Sequence, residues 1–319
     1  MTASAERYVI MGVTDLMFHP FLYIVVRGGH CIMETVKLNN GVEMPMEGFG
    51  VFQIPEDACE QAVKDAIGLG YRLIDTASSY QNEKAVGRAI AGCGVAREEL
   101  FITTKAYIQQ MGYEKTKQAF QESLENLGIE YLDLYLIHMP FGDYYGSWRA
   151  MEELYKEGQI RAIGVCNFLS DRLLDLCYNA TITPQINQIE RHPHYQRKED
   201  LEIMRELGVQ PQAWALFAEG LRGMFEEKVL KEIAEKYKKT VAQVILRWNI
   251  QQGVIMIPKS VHRERMRENL GIWDFELEDA DMERIASLDE NCPSMLDTRK
   301  VSEVRRVYDY LNNPVLTSL

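Results

Sequence analysis

Leu132-Asp-Leu-Tyr-Leu-Ile-His138 and Ile160-Arg-Ala-Ile-Gly-Val-Cys-Asn167, with a helical pattern over Ser147–Glu157 between them, decide the fold. Each flank is an almost continuous apolar run rather than an alternation of apolar and polar residues. Runs of this kind mark parallel strands covered on both faces. The helical stretch stops at Gly158, a residue that takes up the left-handed turn closing many helices. Strand, helix and strand in this order form a βα repeat.

The repeat recurs on both sides. Further apolar runs cover Gly48–Phe52, Tyr71–Asp75, Leu100–Thr104, Gln185–Ile189, Val209–Trp214 and Val254–Pro258, giving eight candidate strands. Helical patterns lie between them over Glu56–Leu69, Asn82–Ala91, Glu114–Leu127, Ser170–Tyr178 and Lys198–Leu207. Two more, Glu227–Tyr237 and Val241–Gln251, precede the last run. Eight repeats within about 250 residues predict an α/β fold, a single-domain (β/α)8 TIM barrel. A doubly wound sheet is the competing architecture. It would announce itself by G-x-G-x-x-G, whereas Gly48-Phe-Gly50 lacks both the third glycine and a following helix. No linker divides residues 34–319, and residues 33–319 form the barrel domain. A helix-like piece around Val301–Tyr310 and a C-terminal tail are placed to fold over the barrel mouth.

Composition bounds the function. The chain has 319 residues, with 35 Lys+Arg against 47 Asp+Glu and a formal charge of -12. Such an acidic chain is a poor binder of nucleic-acid phosphates. Apolar residues make up 46% and charged residues 26%, ordinary globular values that exclude disorder. Six cysteines without a C-x-x-C pair exclude a disulfide scaffold, a zinc ribbon and a redox motif, and fit the reducing cytoplasm. No apolar run reaches membrane-spanning length; the nearest, Leu16–Val26, is interrupted by His19 and Pro20. No self-complementary apolar helix stands out, so a monomer is the default. Globular patterning begins after Met33, and Asn40-Gly41 predicts a hairpin turn. Residues 1–32 are expected to be a loosely held extension or a mis-assigned leader, with Met33 as the natural start. Codons for Arg27-Gly28-Gly29 are compatible with a purine-rich ribosome-binding sequence before it.

In a barrel, chemistry gathers where strands end. The ends here carry Asp75, Lys105, His138, Cys166-Asn167, Gln188-x-Glu190 with His192, Trp214 and Lys259-Ser260, and Tyr80 lies in the loop after the second strand. Asp75 and Lys105 should pair in the mouth, because burial favours a pair over isolated charges. An ammonium near Tyr80 is expected to favour its phenolate and bring its pKa below about 10. Tyr80 then donates a proton, and His138 orients a carbonyl oxygen or relays that proton. An acid and an orienting group, without a nucleophile–base pair, fit reduction of a carbonyl by electrons from a cofactor. His192-Pro-His194, with Asp75 and His138, offers a competing metal-dependent hydrolase. That reading leaves Lys105 and Tyr80 without a task, so no metal is expected.

The chain resembles the aldo-keto reductase superfamily over about residues 36–311. The resemblance rests on Gly70-Tyr-Arg-Leu-Ile-Asp-Thr-Ala77, Ser79-Tyr-Gln-Asn-Glu83, Thr103-Thr-Lys105, Leu136-Ile-His-Met-Pro140, Ile163-Gly-Val-Cys-Asn-Phe168, Asn187-Gln-Ile-Glu190 and Ile257-Pro-Lys-Ser-Val261. It implies a catalytic tetrad of Asp75, Tyr80, Lys105 and His138. It implies that Cys166, Asn167 and Gln188 hold the nicotinamide carboxamide, that Trp214 stacks on the ring and that Phe217 lies in the loop gripping the pyrophosphate. Lys259, Ser260, Val261, Arg265 and Asn269 match the adenosine and 2'-phosphate contacts. Phe52, Tyr107 and Met139 would line an apolar pocket for a small-molecule carbonyl substrate. The residues add an argument for NADPH: Lys259-Ser-Val-His-Arg-Glu-Arg-Met-Arg267 gathers four basic residues at a predicted helix start, where a phosphate is favoured, and the competing reading is a solvated helix face, since Glu264 and Glu268 interleave.

Three positions depart from the commoner pattern. Cys166 stands in place of a serine, and a thiol is the weaker donor. Ala215-Leu-Phe217 replaces Ser-Pro-Leu, and Met139 replaces the tryptophan of many animal members. The short loop Phe141–Trp148 resembles bacterial members, the branch of 2,5-diketo-gluconate reductases and prostaglandin F synthase-like enzymes. Some barrels of this superfamily act instead as slow, cofactor-sensing subunits of larger assemblies. In that alternative the N-terminal segment is a docking arm.

Overall fold

The apolar runs become the eight strands of one parallel sheet: β1 (Gly48–Gly50), β2 (Leu73–Asp75), β3 (Phe101–Ala106), β4 (Leu132–Ile137), β5 (Ile160–Cys166), β6 (Ile186–Glu190), β7 (Gln210–Trp214) and β8 (Ile255–Met256). Each pairs with the next in chain order. The two edges then meet. Glu47 bridges Met256 in parallel, the Met256 N–H donates to Met46 O at 2.9 Å, and the Gly50 N–H donates to Pro258 O at 3.1 Å. The seam explains the glycine of Gly48-Phe-Gly50, since a Cβ on Gly50 would stand 2.9 Å from Ile257 O. It packs a barrel rather than a dinucleotide. The computed structural model describes residues 34–312, with Val26–Arg27 and His30–Cys31 as a short antiparallel ladder. The expectation for residues 1–32 otherwise lies outside the described residues.

The helices are α1 (Glu56–Leu69), α2 (Glu83–Gly92), α3 (Tyr113–Leu127), α4 (Tyr144–Lys156), α5 (Ser170–Asn179), α6 (Lys198–Glu206), α7 (Lys228–Tyr237), α8 (Val241–Gln251), α9 (Arg263–Leu270), α10 (Asp279–Ala286) and α11 (Val301–Asp309). Apart from α11, they surround the sheet with their apolar stripes, and the core runs continuously from barrel interior to helix layer. Helix α4 starts three residues before its expected position. Asp143 caps it, accepting the Gly146 N–H at 2.8 Å. Helix α10 was not marked by the sequence pattern.

The Asn40-Gly41 hairpin forms as expected. Thr35–Lys37 pairs antiparallel with Glu43–Pro45, and Gly41 takes φ 90°. Asn39 Nδ2 donates to Pro184 O (3.0 Å) and Gly208 O (3.1 Å), so the hairpin plugs the end of the barrel where strands begin. The other end is covered by α11. Tyr107, Ile108, Met139 and Val307 form a separate apolar cluster there, with Leu296 and Tyr310 packed against it. Among the described residues no helix is long and apolar enough to cross a membrane.

Candidate active site

Lys105 lies inside β3, one residue before its end, and Asp75 ends the neighbouring strand β2. Both are fully buried, so their charges must be met inside the protein. The Lys105 ammonium makes a close ion pair with Asp75 Oδ1 and donates to Thr76 O at 2.9 Å. Its third contact is to the Tyr80 hydroxyl oxygen at 3.4 Å. Asp75 Oδ2 in turn accepts from Gln188 Nε2 at 2.7 Å. Burial raises the Asp75 carboxyl from its ordinary range, and Lys105 opposes that shift.

Tyr80 sits on a single 3-10 turn, Ser78–Tyr80. Buried Asn82 fixes this turn. Its Nδ2 donates to Val51 O (3.0 Å) and Ile54 O (3.1 Å), while its Oδ1 accepts from Thr76 Oγ1 at 2.8 Å. Ser78 Oγ adds a bond to Lys105 O at 2.9 Å. The Tyr80 ring stands 4.9 Å from the Phe52 ring and 5.6 Å from the His138 ring, centroid to centroid. His138 follows β4 and also meets the edge of Tyr107 at 5.3 Å. Its Nδ1 lies 3.4 Å from Ser79 Oγ.

The electrostatics correct one expectation. The Tyr80 phenol is raised well above its ordinary value, not lowered. Burial is the main cause and the Asp75 carboxylate the second. Lys105 cannot overcome them because its charge is already matched by Asp75. Tyr80 therefore keeps its proton at neutral pH. An ammonium has no lone pair, so the Tyr80 oxygen is the acceptor in their contact and its own O–H is free to donate elsewhere. His138 is pushed well below its usual range by burial and by Lys105, and is neutral at pH 7.

The ends of β5, β6 and β7 bring the amides together. Asn167, at φ 63°, donates from Nδ2 to His138 O (3.1 Å) and Met139 Sδ (3.2 Å), and accepts from Trp214 Nε1 at 3.1 Å. Cys166 Sγ lies 3.5 Å from Gln188 Oε1 and 3.2 Å from Asn167 Nδ2. Burial pushes its thiol well up, so it stays neutral. Gln188 also donates to Gln212 Oε1 at 3.0 Å. Half-buried Trp214 opens the loop that carries Phe217, whose ring packs on Phe225 at 5.6 Å.

The remaining expected residues lie along the β8–α9 segment. Lys259 is half-buried, Ser260 and Asn269 are buried, and Val261 and Arg265 are exposed. Ser260 Oγ accepts the His262 N–H at 3.1 Å in a local turn. Among the described residues neither Lys259 nor Arg265 has a carboxylate at ion-pair distance. His192 and His194 face different carboxylates, Glu190 at 3.3 Å and Glu227 at 3.7 Å. Among the described residues no three His, Cys, Asp or Glu side chains are grouped as a metal needs.

Sequence reasoning passed over Asn82, Ser79, Gln212 and the task of Glu190. Gln212 and Glu190 carried a signal, since each sits two positions from a residue already picked out, on the same strand face. Asn82 and Ser79 carried none beyond lying beside Tyr80.

Residues 48–290 match the aldo/keto reductase family. The glyoxal reductase of Bacillus subtilis is 50% identical over 262 residues, covering 82% of this chain and 94% of that protein. An aldo/keto reductase from Brucella melitensis has a solved structure with a TM-score of 0.78 and 44% identity, over 82% of this chain and 100% of its own. The Bombyx mori aldo-keto reductase, solved in complex with NADP, gives a TM-score of 0.81 at 33% identity, over 86% of this chain and 98% of its own. The barrel, the polar strand ends and these relatives agree: the chain belongs to the aldo/keto reductase family and is an oxidoreductase acting on carbonyl groups.

Proposed function

We propose that the chain reduces aldehyde or ketone carbonyls to alcohols with NADPH, Tyr80 acting as the general acid. The observation that carries this reading is the Tyr80 hydroxyl. It keeps its proton at neutral pH, and the Lys105 contact leaves its O–H free to donate toward the barrel mouth. Neutral His138 beside it offers a ring N–H to a carbonyl oxygen without adding a charge that would compete for the proton. Asp75 holds Lys105, and Lys105 holds the phenol oxygen, so proton donor and orienting ring are fixed before a substrate arrives. Phe52, Tyr107 and Met139 surround the two rings with apolar surface that favours an uncharged carbonyl over water.

The residues fit a phosphorylated nicotinamide cofactor. Burial disfavours the charge of half-buried Lys259, and Glu219 is the main group opposing that. With Arg265 it supplies positive charge that no ion pair consumes among the described residues. Such charge suits a 2'-phosphate, which NADPH has and NADH lacks. Asn167, Gln188 and Cys166 would hold the carboxamide and Trp214 would cover one ring face. Phe217 would lie against the pyrophosphate, and Ser260, Val261 and Asn269 would frame the adenosine end. When bound, the cofactor supplies the hydride. The test is loss of reduced-nicotinamide absorbance with a carbonyl panel, beginning with the glyoxal for which the Bacillus relative is named. Turnover with NADPH and little with NADH supports the proposal. Turnover preferring NADH overturns the cofactor assignment.

A further inference from the structure

Glu190 is a polar strand-end residue that the proposed chemistry does not use, and it is almost fully buried. It ends β6, two positions after Gln188, so both side chains leave the strand on the same face. Gln188 turns to Asp75. Glu190 turns to the C-terminal segment and takes three consecutive backbone N–H groups. Its Oε1 accepts from Ser294 (2.6 Å) and Met295 (3.0 Å), and its Oε2 accepts from Leu296 at 3.1 Å. Nε2 of buried His192 lies 3.3 Å from Oε1. A carboxylate spread over three amides ties down a stretch of chain more firmly than neutral acceptors would, since charge-assisted bonds are the stronger ones.

The tied segment is continuous with the cover of the mouth. Arg306 of α11 donates back to Met295 O at 2.9 Å, which links the segment to the helix. At its far end, Val307 O accepts from the Tyr107 hydroxyl at 2.7 Å, and the Tyr310 ring stands 5.8 Å from the Tyr107 ring. Leu296, the last of the three tied residues, packs against the cluster of Tyr107, Met139 and Val307. The outer wall of the pocket thus belongs to the C-terminal segment, which Glu190 fastens at residues 294–296 and Tyr107 meets at Val307 and Tyr310.

We propose that Glu190 is a positioning residue. It fastens residues 294–296, holds Leu296 and Tyr310 against Tyr107 and Met139, and so sets affinity for carbonyls large enough to reach that wall. The proposal rests on the reductase reading for its kinetic arm only. Glu190→Gln keeps the shape but halves the acceptors and presents an N–H₂ to the strap amides. Ser294→Pro removes one donor from the strap and leaves the barrel untouched.

The experiment compares full-length wild type with both variants. Hydrogen exchange of residues 294–310 should quicken at least tenfold in each variant, while β-strand exchange stays the same. KM for a bulky aromatic dicarbonyl such as phenylglyoxal should rise about tenfold, with KM for glyoxal and both kcat values within about twofold. Unchanged strap exchange in both variants overturns the proposal. So does an equal rise in KM for the small and the bulky carbonyl, which marks a merely structural role. A wild type inactive on every carbonyl refutes the reductase reading, and the exchange arm still decides the fastening.

Discussion

Replacing Lys105 by Met removes the ammonium that faces Asp75 and leaves a carboxylate buried without its partner. Both side chains are almost wholly excluded from water, at 0% and 2% exposure. Breaking a buried pair from one side costs about 3–5 kcal/mol, far more than the pair is worth as a unit. The bond to Thr76 O goes too, leaving a buried carbonyl short of a donor. Asp75→Asn/Lys105→Met removes both charges and keeps an acceptor for Gln188, so it should lie within about 1–2 kcal/mol of wild type.

The pH dependence gives a second handle. Burial already raises Asp75 in the folded protein, and loss of Lys105 removes the main opposing influence. A carboxyl raised above its unfolded value binds its proton more tightly when folded. Its contribution is complete below the unfolded value and is lost as pH rises through the folded one. Lys105→Met should therefore be weakest at pH 8 and recover part of its stability on titration to pH 5, relative to the double variant. Guanidinium unfolding midpoints for wild type, single and double variants at both pH values measure this. A single variant as stable as the double at pH 8, or a deficit that ignores pH, refutes the reasoning.

Three further outcomes follow from particular residues. His138 is depressed in the folded state, so the unfolded chain takes up a proton first and stability falls as pH drops below the ordinary histidine value, by up to about 1.4 kcal/mol per pH unit. His138→Asn should flatten that slope in unfolding titrations between pH 7 and 5, and an unchanged slope would assign it elsewhere. A Cβ on Gly164 of β5 would stand 2.6 Å from Ile186 O and 2.8 Å from Leu136 Cδ2, so Gly164→Ala should cost about 1–3 kcal/mol in thermal or denaturant unfolding; wild-type stability would mean that β5 and β6 separate without penalty. Lys259→Ala should weaken NADPH binding by tenfold or more in fluorescence titration while changing NADH little, and equal weakening of both would show that Lys259 does not read the 2'-phosphate.

The fold was legible because parallel strands buried on both faces cannot alternate in polarity. All eight apolar runs became strands, and polar residues at their ends stood out against them. The hairpin was legible from Asn40-Gly41 because that pair favours a positive φ, which Gly41 adopts. Helix α10 escaped because its eight residues offer little apolar periodicity: among them only Asp281 and Ile285 are buried. The direction of the Tyr80 shift is hidden from the sequence for a different reason. Proximity to Lys105 was visible in the strand order, but the completeness of burial and the neutralisation by Asp75 exist only in three dimensions. Glu190 was visible as a strand-end acid, yet its partners lie 104 to 106 residues away and are backbone amides, which leave no mark in a sequence.

The most direct test of the chemistry is Tyr80→Phe. The ring, its packing on Phe52 and the Asp75–Lys105 pair all remain, and only the proton donor goes. Single-turnover reduction of a carbonyl should slow by roughly 100- to 10,000-fold, with NADPH affinity within about twofold of wild type. A rate within a few-fold of wild type would contradict Tyr80 as the acid and move that task to His138.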